Sequence, residues 1–233
     1  MDALDFVPQS RPRLIIVAVA RGVAIPQGAQ SPGPVPHWHT PRLREAYAGL
    51  EADLREAWLW LAPAVPPRRN TRLLDLIEDA PADVAWRAPA ETERLLALMS
   101  PVNRAKVARA AASGARMVGT VYRRTRPDGA GGRVQRAEVR FDEVAGCLRT
   151  PAGGSSRQTI LMVEGGQVRS RLLSGRETAR LMGLPDDYRL PARYNDAYHL
   201  TGDGVAVPVV RWLAEQVLEP LLAAPRAQAL RVA

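Results

Sequence analysis

Gln9, Arg11 and Arg13 occupy alternate positions in Pro8-Gln9-Ser10-Arg11-Pro12-Arg13, directly ahead of the apolar run Leu14-Ile15-Ile16-Val17-Ala18-Val19. In an extended segment alternate side chains share a face, so one amide and two guanidinium forks converge at a strand entrance. Such a set donates hydrogen bonds to carbonyl or anionic oxygens. The same residues also fit a loop with two solvated arginines. A second feature is electrostatic. Between Arg104 and Arg140 ten basic residues (nine Arg and Lys106) stand against two acids, Asp128 and Glu138, and this window carries the whole net charge of +8. Segregated charge of this kind reads as a footprint for a polyanion rather than a mixed, solvated surface. No bulky apolar helical face accompanies it, which argues against a membrane surface.

Other chemistry is poorly supplied. The single cysteine, Cys147, excludes an internal disulfide framework and a cysteine-rich zinc site. No general base stands beside it, so a structural thiol is expected rather than a nucleophile. His37-Trp38-His39 has only His199 as a further histidine, too small a ligand set for a metal; a proline-flanked loop is expected there. The 233 residues are 46% apolar and 24% charged, globular values with enough chain for a core. No apolar stretch approaches the ~18 residues of a membrane span. Leu14–Ala20 is short for a signal core, and Asp2 and Asp5 sit where a positive region belongs. A cytoplasmic protein is expected.

The elements that must position these residues follow from periodicity. Leu14–Val19 reads as a buried strand, followed by a linker rich in Pro, Gly, Gln and Ser from Pro26 to Pro41. Arg42–Leu61 reads as one amphipathic helix, on which Trp58 and Trp60 cannot share a face. Short helices follow at Thr71–Glu78, at Pro89–Met99, and after Ser100, an N-cap with Pro101 at the first helical position. Ala115–Arg124 and Arg133–Phe141 form one hairpin pattern, and Gln158–Val163 and Gln167–Leu173 a second around Gly165-Gly166. Ser174 and Glu177 make a capping box for a helix Ser174–Met182, closed by Gly183 and Pro185. A last helix covers about Val205–Leu222.

Two further blocks accompany the first. One is Arg171-Leu-Leu-Ser-Gly-Arg-Glu-Thr-Ala-Arg-Leu-Met-Gly-Leu-Pro-Asp-Asp-Tyr188; the other is Gly202-Asp-Gly-Val-Ala-Val-Pro-Val-Val210. In this order the three blocks resemble the C-terminal motifs of the bacterial DNA (cytosine-5) methyltransferases, over about Asp5–Val19 and Ala145–Leu222. The resemblance implies a Gln-x-Arg-x-Arg block ahead of a target-recognition region, a helix block supporting that region, and a final block returning to the cofactor side. By the same resemblance Arg13 reaches the flipped target base near its O2, while Gln9 and Arg11 order the pocket. Gly202, Asp203, Gly204 and Val205 border S-adenosylmethionine. Asp203 and Gly204 stand where the family commonly has Asn and Ser, and Phe6 where it usually has Gly.

The strip Cys147-Leu-Arg-Thr-Pro-Ala-Gly-Gly-Ser-Ser-Arg157 looks like the glycine-containing end of the family's recognition region. Arg149, Thr150, Gly153, Gly154, Ser155, Ser156 and Arg157, with Arg123, Arg124 and Arg126 of the basic window, are candidate contacts to double-stranded DNA. Without the flanking blocks, a flexible surface loop would be the plainer account of the strip.

The family's Pro-Cys-Gln, Glu-Asn-Val and Phe-x-Gly-x-Gly motifs do not occur in the sequence. The resemblance therefore implies an α/β chain: a C-terminal fragment of a Rossmann-like methyltransferase domain plus a small mixed α+β target-recognition domain. Residues 1–25 are expected as a strand of the catalytic domain, 26–173 as the recognition region with its linker, and 174–233 as the helical return. Such a chain needs an N-terminal half, as a separate subunit or a lost part of the frame, to supply nucleophile, acid and main cofactor loop. The rival is a non-catalytic DNA-binding protein that kept only the recognition half.

Overall fold

The computed structural model describes residues 1–26, 28–127, 131–150 and 157–224. Its contacts divide the chain into two compact units: Asp2–Pro12 with Arg69–Pro208, and Met1 with Arg13–Arg68 and Val209–Ala233. In the first of these units the helices of 174–208 pack with residues 69–173.

In the smaller unit the apolar run 14–20 carries no regular secondary structure, so the expected strand is not formed. Leu14 is 69% and Ile16 81% exposed. A strand needs a neighbour to take its backbone donors and acceptors, and no described strand pairs with this segment. The expected single helix Arg42–Leu61 is broken. Thr40 caps α1 (Pro41–Ala48), accepting from the Leu43 amide at 3.3 Å, and Gly49 ends it. A second short helix, α2 (Ala52–Glu56), follows. The chain then leaves the helical path so that β2 (Trp60–Leu61) pairs with β1 (Gln30–Ser31).

That departure brings both tryptophans into one cluster. The rings of Tyr47, Trp58 and Trp60 lie with centroids 4.8–5.4 Å apart, and His39 sits 4.8 Å from Trp60. Trp60 is buried and Trp58 partly buried. His39 Nδ1 accepts from the Val35 amide at 2.7 Å, which requires that nitrogen to be unprotonated. Burial pushes the imidazole below its ordinary value of 6.5. With the folded pKa depressed, the unfolded chain binds the proton more readily, so stability falls as pH drops below the unfolded value. The β1–β2 region is expected to lose about 1 kcal/mol, the net worth of one hydrogen bond, on acidification. Tryptophan fluorescence during urea unfolding at pH 7.5 and 5 tests this, and His39→Gln should flatten the dependence.

In the larger unit, β3 (Met117–Pro127) runs from a buried, mostly apolar first half into an exposed, arginine-rich second half, β4 (Arg133–Arg140) alternates charged and apolar side chains, and a continuous apolar run produces β5 (Thr159–Glu164) beside β6 (Gln167–Leu172). Both expected hairpins form, and β3 pairs with β5 to give one antiparallel sheet, ordered β4-β3-β5-β6. Helices α3 (Pro89–Ala97) and α4 (Pro101–Ala112) cover one face. There Leu95, Met99 and Val107 pack with Val121, Ala137, Val139 and Leu161. Ser100 caps α4, its hydroxyl accepting from the Asn103 amide.

Edge strand β4 is blunted from α4. Asn103 Oδ1 accepts from the Val139 amide at 3.1 Å and Lys106 Nζ donates to the Val139 carbonyl at 3.3 Å. The Ala137 amide donates to the Leu98 carbonyl. These bonds occupy groups that would otherwise template another strand. The expected helix at Thr71–Glu78 is only a 3₁₀ turn, Leu74–Leu76.

Helix α5 (Gly175–Leu181) has the expected capping box, with Glu177 accepting from the Ser174 amide and Ser174 from the Glu177 amide. Gly183 ends it at a φ of +74°, where any side chain would also overlap the Pro208 ring. Helix α6 (Tyr194–Asp203) was not expected. The helix foreseen at Val205–Leu222 begins at Val207 and is not uniform: α7 (Val207–Leu213), a π-helical turn (Ala214–Leu218) and α8 (Glu219–Ala223). Pro220 has no amide to offer the carbonyl four residues back, and the neighbouring Glu219 amide bonds to Ala214 instead, the wider π pattern. No helix of the described residues is long and apolar enough to cross a membrane.

Candidate functional site

The first block enters the larger unit as a short parallel bridge, with Gln9 opposite Ala145. The Ser10 amide donates to Ala145 and the Ala145 amide to Pro8. This extended geometry puts Gln9 and Arg11 on one side, and both side chains are fully enclosed, 0% and 1% exposed. Gln9 Nε2 donates to the Leu181 carbonyl at 2.8 Å, at the end of α5, while its Oε1 accepts from the Leu148 amide at 3.1 Å. Arg11 Nη2 donates to the carbonyls of Gly202 and Gly204 at 2.7 and 2.6 Å, at the end of α6, and Nη1 to the Leu148 carbonyl at 2.8 Å.

Each residue therefore caps one helix C-terminus, where carbonyls lack intrahelical partners and the dipole favours a cation. The guanidinium fork reaches two carbonyls from one nitrogen and a third from the other, which an ammonium cannot do with the same geometry. Arg11 Nη1 also lies 3.4 Å from Cys147 Sγ. Arg13 belongs to the smaller unit and is exposed. Its amide donates to Met1, whose ammonium in turn donates to the Arg13 carbonyl.

The second block is held together by its own arginines. Arg171 and Glu177, 0% and 1% exposed, form a two-pronged pair with both N–O distances 2.7 Å. Arg171 also donates to the Glu78 carbonyl, and Glu177 accepts from the Glu78 amide. Arg176 donates to the carbonyls of Pro185 and Tyr188. Arg180 forks onto Asp186, and that hydrogen-bonded guanidinium holds the carboxyl below its ordinary range. Only the capping box of this network was visible in sequence order; Glu78 and its partners were missed.

In the third block Gly202 and Asp203 close α6 and Gly204 caps it, rather than forming a loop. A side chain at Gly202 would collide with the backbone of Arg149 and Thr150. The exposed Asp203 carboxylate takes the Thr150 hydroxyl and lies 3.1 Å from His199 Nε2. Val205 is 49% exposed. The strip at 147–150 and the turn at 202–205 thus meet edge to edge, a contact without a sequence signal. Arg157 reaches Asn195 at 2.5 Å and lies over the Tyr194 ring on α6. Gly153, Gly154, Ser155 and Ser156 lie outside the described residues.

The basic hairpin is not a single surface. Arg124 and Arg126 share one face of β3 and both approach Glu138, at 3.6 and 2.5 Å. Arg123 points to the other face, opposite Ala137. Arg149 is exposed.

Three blocks far apart in sequence thus close around Gln9 and Arg11. A family model, C-5 cytosine-specific DNA methylase, matches residues 1–219. The chain belongs to that family. Similar proteins include the Type II methyltransferase M.NlaIV of Neisseria lactamica, 40% identical over 62 residues, covering 27% of this chain and 14% of that protein. The Type II methyltransferase M.BsuFI of Bacillus subtilis is 38% identical over 68 residues, 29% of this chain and 17% of its own. DNA (cytosine-5)-methyltransferase CMT2 of Oryza sativa subsp. japonica is 40% identical over 75 residues, 32% of this chain and 5% of its own. The matched stretches are therefore a small part of each methyltransferase.

Proposed function

We propose that these residues form the C-terminal half of a DNA (cytosine-5) methyltransferase, providing target recognition and one edge of the base and cofactor pocket. The observation that carries this reading is the buried junction at Gln9 and Arg11, where all three family blocks meet through side-chain to backbone bonds. A junction of this kind positions rather than reacts. Gln9 and Arg11 are spent on helix ends; Arg13, the exposed member of the block, is the one assigned to the base in this reading.

In this reading a cytosine leaves the duplex stack to reach the pocket. Arg13 donates to its O2 and favours electron withdrawal as a thiolate from the N-terminal half adds at C6. Arg124, Arg126 and Arg149, within the recognition region 26–173, hold phosphates or base edges. At the 202–205 turn the carbonyls of Gly202 and Gly204 are taken by Arg11, while the Asp203 carboxylate, which takes the Thr150 hydroxyl and neighbours His199, and the Val205 side chain are exposed. These fit S-adenosylmethionine as one edge of its site, a carboxylate for a cationic group and an apolar contact; when bound, the cofactor supplies the methyl group. The exposed apolar run 14–20 fits a strand whose sheet partners belong to the N-terminal half.

The test is co-expression with an N-terminal half carrying the Pro-Cys-Gln and Glu-Asn-Val motifs, followed by bisulfite sequencing. New 5-methylcytosine at a fixed site is expected, and Arg13→Ala should reduce it at least about 100-fold, the scale of losing a group that stabilises transition-state charge, with unchanged circular dichroism. No methylation with an intact partner would sink the enzymatic reading. A non-catalytic DNA-binding protein would instead bind a short duplex site by this chain alone, with affinity falling steeply in salt.

A further inference from the structure

Arg123 leaves its neighbours on β3 and joins a different group. With Arg87 and Arg94 it lines a cavity of about 230 Å³, whose other walls are Glu91, Leu95 and Leu98. Arg87 is the fixed member. Its amide donates to the Ser170 carbonyl at 2.9 Å, and its guanidinium reaches Ser170 Oγ and Thr159 Oγ1 at 3.5 and 3.4 Å. Arg94 and Arg123 are exposed and reach the cavity from α3 and from the hairpin.

Among the described residues none of the three arginines makes an ion pair. Glu91, the one acid in the lining, has an oxygen committed to the Ala88 amide at 3.0 Å. Burial, and next the nearby Arg123, push the Arg87 guanidinium below its ordinary value, while the Glu91 carboxylate works the other way and offsets only part of this. Like charges lining one cavity are relieved by an anion placed between them.

We propose that the cavity between α3 and the β3–β4 hairpin binds a phosphate group through Arg87, Arg94 and Arg123. Three planar forks, from α3, from β3 and from the segment leading into α3, can together surround the oxygens of a tetrahedral anion. The group is either a backbone phosphodiester or free phosphate, and two measurements on the full chain separate them.

The first is calorimetric titration with inorganic phosphate at constant ionic strength, with chloride as control. Saturable binding to the unaltered chain is expected, weakened about 10-fold by Arg123→Gln and by Arg94→Gln, the loss of one charge-assisted contact. Both substitutions are at exposed positions, and circular dichroism melting confirms that the variants stay folded. No saturable binding, or equal binding by all three proteins, overturns the proposal. The second measures duplex affinity against salt. A slope reduced by about 1 in Arg123→Gln assigns the site to a DNA phosphate; saturable phosphate binding with an unchanged slope assigns it to the free anion. The phosphate arm stands apart from the DNA reading above, and only the duplex arm rests on it.

Discussion

Glu177→Ala is expected to destabilise the larger unit by about 3–5 kcal/mol, the cost of leaving one partner of a buried ion pair without the other. The carboxylate takes both prongs of Arg171, the Ser174 amide of its own capping box and the Glu78 amide. Removing it leaves a guanidinium at 0% exposure with the Leu172 and Glu78 carbonyls and the face of the Trp86 ring, but no anion bonded to it. Simple loss of a helix cap would cost about 1 kcal/mol, so the size of the effect discriminates between the two roles. Urea unfolding followed by circular dichroism provides the measurement. The double variant Arg171→Met, Glu177→Leu is expected to recover much of the loss, because apolar residues of similar volume need no desolvation of charge. A loss below about 1 kcal/mol in the single variant, or a double variant as unstable as the two singles added, would remove the pair from its place as the clamp between β6 and α5.

The second large effect concerns Arg11. Arg11→Met keeps the apolar length of the side chain but leaves the carbonyls of Leu148, Gly202 and Gly204 without their donor. Each unsatisfied buried acceptor costs about 1–3 kcal/mol, and a helix end loses its cation besides. A fall in stability of about 3 kcal/mol or more is expected. Arg11→Lys should be nearly as damaging, since one ammonium cannot serve both sides of the junction. In the co-expression assay either change should lower methylation together with stability, whereas Arg13→Ala should lower it at least about 100-fold with stability intact. If Arg11→Lys unfolded at the same urea concentration as the unaltered chain, the fork geometry would not be what holds α6 to the strip at 147–150.

Much of the local structure was legible because its determinants lie close together. Ser100 with Pro101, and Ser174 with Glu177, announce helix starts within four residues, and both hairpins follow from paired strand-like runs separated by turn residues. The failures share a cause. Leu14–Val19 has the composition of a strand, but a strand exists only with a partner. Arg42–Leu61 has helical spacing, yet pairing of Trp60 with Ser31 and the ring cluster with Tyr47 outweighed its continuation. Helix α6 was hidden because Gly202 and Gly204 at its end are poor helix formers; that end is held by an arginine from the start of the chain.

The sequence by itself determined the family, through three ordered blocks, and the type of most short elements, through caps and alternation that need only neighbouring residues. It also localised the charge to Arg104–Arg140. Only the tertiary structure decided what the block residues do. Gln9 and Arg11 act on carbonyls between 137 and 193 residues away, and nothing in their own neighbourhood signals those partners. Likewise Arg123, Arg124 and Arg126 are one basic run on paper, but strand alternation turned Arg123 to the α3 face, beside Arg87 and Arg94. A charge count is additive along a chain, whereas the field at a site depends on which side chains the fold turns toward the same few cubic ångströms.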